Sequence, residues 1–236
     1  MSPEQDLPTD RPAPPKDQPL RGVIFDMDGV LCDSEPFICE AAMKMFAERY
    51  DTEVRPEDFH PFVGAGEDRY IGGVAEKYGI DLDPAADKAR TYEIYLQIIQ
   101  GRLDPLPGAV SFIDRLAADG IRRAVATAAD RVKMEGNLRQ IGIPPERFDA
   151  IVTGSDVQRK KPHPDGFELA AARLELPAGH CLVVEDAVNG VRAARAAGSR
   201  CLGLTTSFEA ATLRDAGAEW TAPDLAHVPD DLLELL

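Results

Sequence analysis

Val23-Ile24-Phe25-Asp26-Met27-Asp28-Gly29 is a short apolar run that ends in two aspartates. Branched and aromatic residues without a polar break predict a strand buried on both faces. Asp26 and Asp28 are two apart in extended backbone, so their side chains project to the same side and can address one substrate atom from two directions. Chemistry is therefore expected where this strand ends.

Downstream, from about Phe37 to Gly101, the apolar spacing is helical: Phe37, Ala41, Met45 and Phe46, then Ile71, Val74 and Tyr78, then Tyr92, Tyr95, Leu96 and Ile99. After Leu106-Pro107-Gly108 the pattern alternates. A helix carrying Val110, Ile113 and Leu116 stops at Gly120, and a strand over Ile121 to Thr127 follows. The alternation continues with a helix through Leu138, a strand at Ile151-Val152, a helix with Phe167, Ala171 and Leu174, a strand over Cys181 to Val184, a helix ending at Gly198 and a strand over Cys201 to Leu204. Strands alternating with helices of this length predict right-handed crossovers and an α/β, Rossmann-like parallel sheet with helices on both faces. The predicted organisation is a core over residues 20–35 and 105–236 with an inserted helical cap over 36–104. Upstream, residues 1–19 hold six prolines among charged and small residues and read as a flexible tail.

A chain of 236 residues can bury a sizeable core without disulfides or structural metal. Its net charge of -15 repels nucleic acid and anionic membranes, which bind through clustered Lys and Arg, so the expected partner is a small molecule. The oligomeric state is left open, and a monomer is compatible with everything above. Cys32, Cys39, Cys181 and Cys201 include no CxxC pair, and no apolar run is long enough to span a membrane, which points to free thiols and a cytoplasmic protein. His60, His163, His180 and His227 are too widely separated for a zinc signature.

Ligands of parallel sheets bind beyond the carboxyl ends of the strands. Polar residues stand at four such ends: Asp26 and Asp28, then Thr127, then Lys161 after the third strand, then Glu185-Asp186. A carboxylate is a competent nucleophile toward phosphorus, and a second carboxyl can protonate the leaving alkoxide and then activate water. Asp26, Glu185 and Asp186 bring about three negative charges to a phosphate dianion, and each unit pair at ~4 Å repels by roughly 4 kcal/mol at an effective dielectric of ~20. Lys161 alone cannot offset that, whereas Mg2+ suits a site of carboxylates plus a phosphate oxygen. Asp26, the backbone carbonyl of Asp28 and Asp186 are its expected ligands. Thr127 offers a hydroxyl donor beside backbone N–H groups, Ala128 among them, that can reach phosphate oxygens. Pro162 restricts the backbone of Lys161 to extended or turn conformations.

The run Phe25 to Glu35, with Asp26-Met27-Asp28-Gly29-Val30-Leu31-Cys32-Asp33-Ser34 inside it, resembles the first signature of the haloacid dehalogenase superfamily, and in particular its beta-phosphoglucomutase-like phosphatases. Thr127 matches the second signature, Lys161-Pro162-His163-Pro164-Asp165 the third and Val184 to Val191 the fourth, so the resemblance covers residues 21 to 206. It implies a Rossmann-like core with a helical cap, Mg2+ dependence, Asp26 as nucleophile and Asp28 as general acid and base. It further implies that Gly29 and the Asp33-Ser34 region form the flap and hinge, and that Glu185 helps position the metal. Sugar phosphomutases of this group carry a His, an Arg and a Lys in the cap where this chain has Ile38, Glu67 and Gln97. An acid in place of a phosphate-binding Arg disfavours holding a bisphosphorylated intermediate at both ends, so a phosphatase of a small phosphorylated metabolite, such as a sugar phosphate, is expected over a mutase.

Each signal has a plainer explanation. A lone DxD is more often a solvated loop or a calcium turn, but Asp26-Met27-Asp28-Gly29 lacks the EF-hand glycine at the sixth position and has partners at three other strand ends. Thr127 and Lys161 taken singly are ordinary strand-end and surface residues, and Glu185-Asp186 also suits a helix N-terminus. Phe62 to Arg69 holds a GxG without a third glycine or a preceding strand, which argues against a dinucleotide site. Glu67 and Arg69 at its end are expected to face the leaving group. Carbon-halogen displacement needs neither a metal nor a second aspartate, and a catalytically inert binding module has no chemical need for the full set of polar residues.

Overall fold

The computed structural model describes residues 18–63 and 66–236. Strand β1 (Gly22–Phe25) is followed by three helices, α1 (Glu35–Tyr50), α2 (Glu67–Tyr78) and α3 (Pro84–Ile98), with no strand among the described residues of that stretch. Then come α4 (Ala109–Ala118), β2 (Arg122–Ala126), α5 (Arg131–Gln140), β3 (Ala150–Val152), α6 (Asp165–Arg173), β4 (Cys181–Glu185), α7 (Val188–Ala197), β5 (Arg200–Leu204), α8 (Ala210–Ala216), β6 (Trp220–Ala222) and α9 (Asp230–Leu233). The six strands form one sheet in the order β3-β2-β1-β4-β5-β6, parallel at every pairing.

Alternation along β1 decides which layer each side chain joins. Val23 and Phe25 enter a core with α4, α5 and the three inserted helices, while Ile24 enters a second core with α6, α7 and α8. Covering both faces of a parallel sheet requires near-continuous apolar strands, which explains why every residue of β1, β4 and β5 is buried.

Register then places the polar residues. Phe25 is level with Val125 of β2 and Val184 of β4, and the Asp26 N–H continues the ladder to the Val184 carbonyl at 3.0 Å. Asp26 therefore emerges beside Glu185, at the point where strand order reverses about β1. Crevices at such a reversal are where open α/β sheets bind ligands.

The inserted helices leave and rejoin the sheet side by side. Cys32 bridges Pro105, and the Leu106 N–H donates to the Leu31 carbonyl at 2.9 Å. On their far side α3 lies against α5, with the Tyr95 hydroxyl donating to Asn137 Oδ1 and the Tyr92 hydroxyl to Asp130 Oδ2 at 3.1 Å. Lys88 of α3 pairs with both Asp68 at 2.8 Å and Asp130 at 3.0 Å.

Two differences from the sequence reading stand out. A sixth strand, β6, extends the sheet beyond Cys201 to Leu204; its three residues include the polar Thr221, too short an apolar run to register as a strand. The tail expected over residues 1–19 lies outside the described residues as far as residue 17, while Gln18 meets the His180 ring at 2.6 Å and the Pro19 carbonyl meets its other nitrogen at 3.1 Å.

Candidate active site

Asp26 leaves β1 almost buried, at 8% exposure, and Lys161 reaches it from the segment between β3 and α6. The Lys161 ammonium donates to Asp26 Oδ1 at 2.5 Å and to Glu185 Oε1 at 2.6 Å. The Lys161-Pro162 peptide is cis. Glu185 in turn accepts at Oε2 from the N–H groups of Asp186 and Ala187, both at 2.9 Å, at the start of α7, where free N–H groups favour a carboxylate. Asp186 accepts from the Ser207 hydroxyl.

Two glycines make room for this packing. A Cβ on Gly190 would lie 1.8 Å from Glu185 Oε1, and one on Gly29 would lie 2.0 Å from Asp186 Oδ2 at a φ of 74°, which only glycine adopts freely.

Ligand oxygens of Asp26, Glu185 and Asp186 lie within 4.8 Å of one another, and all three residues are buried. Burial pushes the Asp26 carboxyl above its ordinary range, Lys161 pulls it back in part, and Glu185 adds to the rise. Burial also raises Asp186, with Glu185 and Asp26 adding to it. Burial lowers Lys161, but Asp26 and Glu185 outweigh that and hold it charged. Three clustered carboxylates facing one ammonium could hold a hard divalent cation, which takes oxygen ligands and would supply the missing positive charge. The residues present fit Mg2+.

Thr127 is buried at the end of β2, where its N–H donates to Val152 and its Oγ1 accepts from the Ala129 N–H at 3.1 Å. Its hydroxyl proton remains for another acceptor. Ala128 follows it, partly exposed.

Asp28 lies in the turn that precedes α1 and is not one of the three clustered carboxylates. Its Oδ1 accepts from the Ser34 hydroxyl and its Oδ2 from the Lys133 ammonium at 3.0 Å. Lys133 also faces Glu67 Oε1 at 3.7 Å. Burial lowers the Lys133 pKa, and Asp28 and Glu67 more than reverse it, so the ammonium stays charged inside the protein.

The structure thus brings Asp26, Lys161, Glu185 and Asp186 into one cluster, and Glu67 into contact with the lysine that holds Asp28. Arg69 stands outside both, pairing with Glu76 at 2.8 Å and lying 5.0 Å over the Phe62 ring. Ile38 is buried and Gln97 is exposed.

Sequence reasoning missed Lys133, Ser34 as a partner of Asp28, and Ser207. Lys133 left one trace: on α5 the buried residues are Lys133, Met134, Asn137 and Leu138, so two polar side chains occupy one apolar stripe at i and i+4.

A model of haloacid dehalogenase-like hydrolases matches residues 20–198. The chain belongs to that family. This hydrolase is 41% identical over 212 residues to the protein SUPPRESSOR OF QUENCHING 1, chloroplastic, of Arabidopsis thaliana, a match covering 89% of the chain and 20% of the plant protein. The chain thus spans about a fifth of that relative's length. It is 31% identical to the phosphorylated carbohydrates phosphatase of Thermotoga maritima, over 92% of this chain and 98% of that one. Among solved structures, CbbY from Rhodobacter sphaeroides in complex with phosphate superposes with a TM-score of 0.78 at 29% identity, covering 88% of this hydrolase and 95% of CbbY. No helix of the described residues is long and apolar enough to cross a membrane.

Proposed function

We propose that this hydrolase is a Mg2+-dependent phosphatase of a small phosphorylated metabolite, a sugar phosphate by preference, working through an aspartyl-phosphate on Asp26. The observation that carries the reading is the Asp26, Glu185 and Asp186 cluster with Lys161 wedged between the first two. The similarity to a phosphorylated carbohydrates phosphatase supports the substrate class.

In this reading Asp26, Asp186 and the backbone carbonyl of Asp28 hold the metal, with Glu185 beside them. The metal supplies charge neutralisation between the phosphate dianion and the carboxylates. Thr127 and the Ala128 N–H hold the phosphate oxygens with Lys161. A carboxylate oxygen of Asp26 forms a bond to phosphorus as the bond to the sugar oxygen breaks, and Asp28 gives that oxygen its proton, releasing the alcohol. Water then attacks phosphorus, Asp28 takes its proton, and the bond to Asp26 breaks to release phosphate. Residues 36–104 act as a cap over core segments 20–35 and 105–236, with Glu67 facing the leaving group. The side-by-side entry and exit at Cys32 and Pro105 suit a two-stranded hinge. Four free cysteines fit a reducing, cytoplasmic setting.

The test is a panel of glucose 6-phosphate, fructose 1-phosphate, glycerol 3-phosphate and β-glucose 1-phosphate with Mg2+, scored for phosphate release by the wild type and by Asp26→Asn. Release by the wild type alone is expected. With a trace of bisphosphate added to β-glucose 1-phosphate, isomerisation outpacing phosphate release would instead establish a mutase.

A further inference from the structure

Lys133 is 4% exposed in the middle of α5, yet it takes no part in the cluster around Lys161. Burying a long charged side chain is unfavourable unless it meets opposite charge. Lys133 meets two carboxylates drawn from different parts of the chain: Asp28 in the turn after β1, at 3.0 Å, and Glu67 at the first position of α2, at 3.7 Å. Glu67 is itself 8% exposed, and its second oxygen, Oε2, has no hydrogen-bond partner. A third acid, Glu35, accepts from the Tyr70 hydroxyl at 2.6 Å close by.

Geometry at Asp28 matters most. Ser34 donates to one oxygen and Lys133 to the other, so neither oxygen can turn away without losing a bond. Each carboxylate oxygen keeps a second lone-pair direction, which leaves room for a proton exchanged with substrate or water. We infer that Lys133 is a positioning residue for the reaction: it fixes the Asp28 carboxyl where the proton is exchanged, and through Glu67 it ties that placement to α2. The inference rests on the phosphatase reading above.

A positioning role for an acid has a signature that packing alone does not produce. An alkoxide leaves only with a proton, whereas 4-nitrophenolate leaves without one, so the two leaving groups draw differently on Asp28. The measurement is kcat/KM for 4-nitrophenyl phosphate and for the fastest alkyl phosphate of the panel, with Mg2+ saturating.

Lys133→Met is expected to lower the alkyl value by about 100-fold and the nitrophenyl value by less than about fivefold. Lys133→Arg, which retains the charge, is expected to restore most of the alkyl rate. Glu67→Gln is expected to shift the ratio in the same direction by a smaller factor. Should Lys133→Met fail to fold, Lys133→Met/Glu67→Gln, which removes the buried acid together with its cation, carries the same comparison.

Equal losses on both substrates would reduce Lys133 to a packing residue and overturn the inference. So would an unchanged alkyl rate in folded Lys133→Met or in the folded double variant. Undiminished hydrolysis by Asp26→Asn would instead bring down the phosphatase reading itself, so the two failures are distinguishable.

Discussion

Two lysines of this hydrolase each stand between two carboxylates, yet the surroundings differ. Lys161 joins Asp26 and Glu185 at 2.5 and 2.6 Å with a third acid, Asp186, packed beside them. Lys133 joins Asp28 and Glu67 at 3.0 and 3.7 Å. The first group is built on strand ends and holds more negative charge than its lysine can balance, which suits a site that recruits a divalent cation and a phosphate. The second is built from a turn and two helices, and its lysine serves to hold side chains in place. Three buried carboxylates within 4.8 Å of one another mark the binding site, and two carboxylates pinned on one lysine mark the support.

Chelation should break the contrast most severely. Removing divalent metal is expected to lower phosphate release by about 100-fold or more, with Mg2+ restoring it. The same excess of charge predicts that Asp186→Asn, while inactive, makes the metal-free protein about 1 kcal/mol more stable, because it removes one of three crowded carboxylates. Denaturant melts of the metal-free proteins measure this, and a destabilised Asp186→Asn would show that the cluster is already balanced.

Gly190→Ala comes next. Its Cβ would meet Glu185 Oε1 at 1.8 Å, so the carboxylate must move away from Lys161 and from the N–H groups of Asp186 and Ala187. A loss of about 1–3 kcal/mol is expected, together with weaker Mg2+ activation. An unchanged metal dependence would mean that the position of Glu185 is not critical.

Tyr95→Phe probes the helical side. It leaves the buried Asn137 Oδ1 without its donor and should cost about 1–3 kcal/mol in denaturant melts. Mg2+ activation should not change, because the Tyr95 hydroxyl meets Asn137 and Ser34 and not Asp26, Glu185 or Asp186.

Asp156 gives the smallest effect and shows the behaviour of a fully matched acid. Partial burial raises its pKa, but Arg173 at 2.8 Å and the N–H and hydroxyl of Thr153 outweigh that and hold the carboxyl down to about 2. The folded value lies below the unfolded one, so the stabilisation is complete above the unfolded pKa of 3.8 and is lost as pH falls through about 2. Its size is about 2 kcal/mol. Asp156→Asn should flatten that part of a stability profile against pH.

The strand-end cluster was legible because strand position, apolar run and polar terminus coincide in the sequence. Val23 to Phe25 announce β1, and register carries Asp26 to Glu185 without help from any loop. Lys133 was not legible, because a lysine in a helix faces solvent by default. Its burial depends on α3 packing across α5, a contact between segments about 40 residues apart such as Tyr95 with Asn137. Glu67 could be singled out as an acid near a glycine turn, but its lysine partner could not, since spacing along the chain does not encode it. Arg69 could be read as a charge at the same turn, and its pairing with Glu76 comes from the helical face of α2, which seven-residue spacing places together. The missed β6 shows the opposite limit: three residues carry too little pattern to separate an edge strand from a turn.

The central claim is that phosphate passes through Asp26. Acid quench during turnover of 4-nitrophenyl phosphate, followed by borohydride reduction and mass spectrometry of the peptide spanning Gly22 to Leu31, tests it directly, since reduction of an acyl phosphate converts aspartate to homoserine. Homoserine at position 26, formed only with substrate and Mg2+ present, is the predicted result. An unmodified Asp26 in a protein caught while hydrolysing, with Asp26→Asn still releasing phosphate, would contradict it.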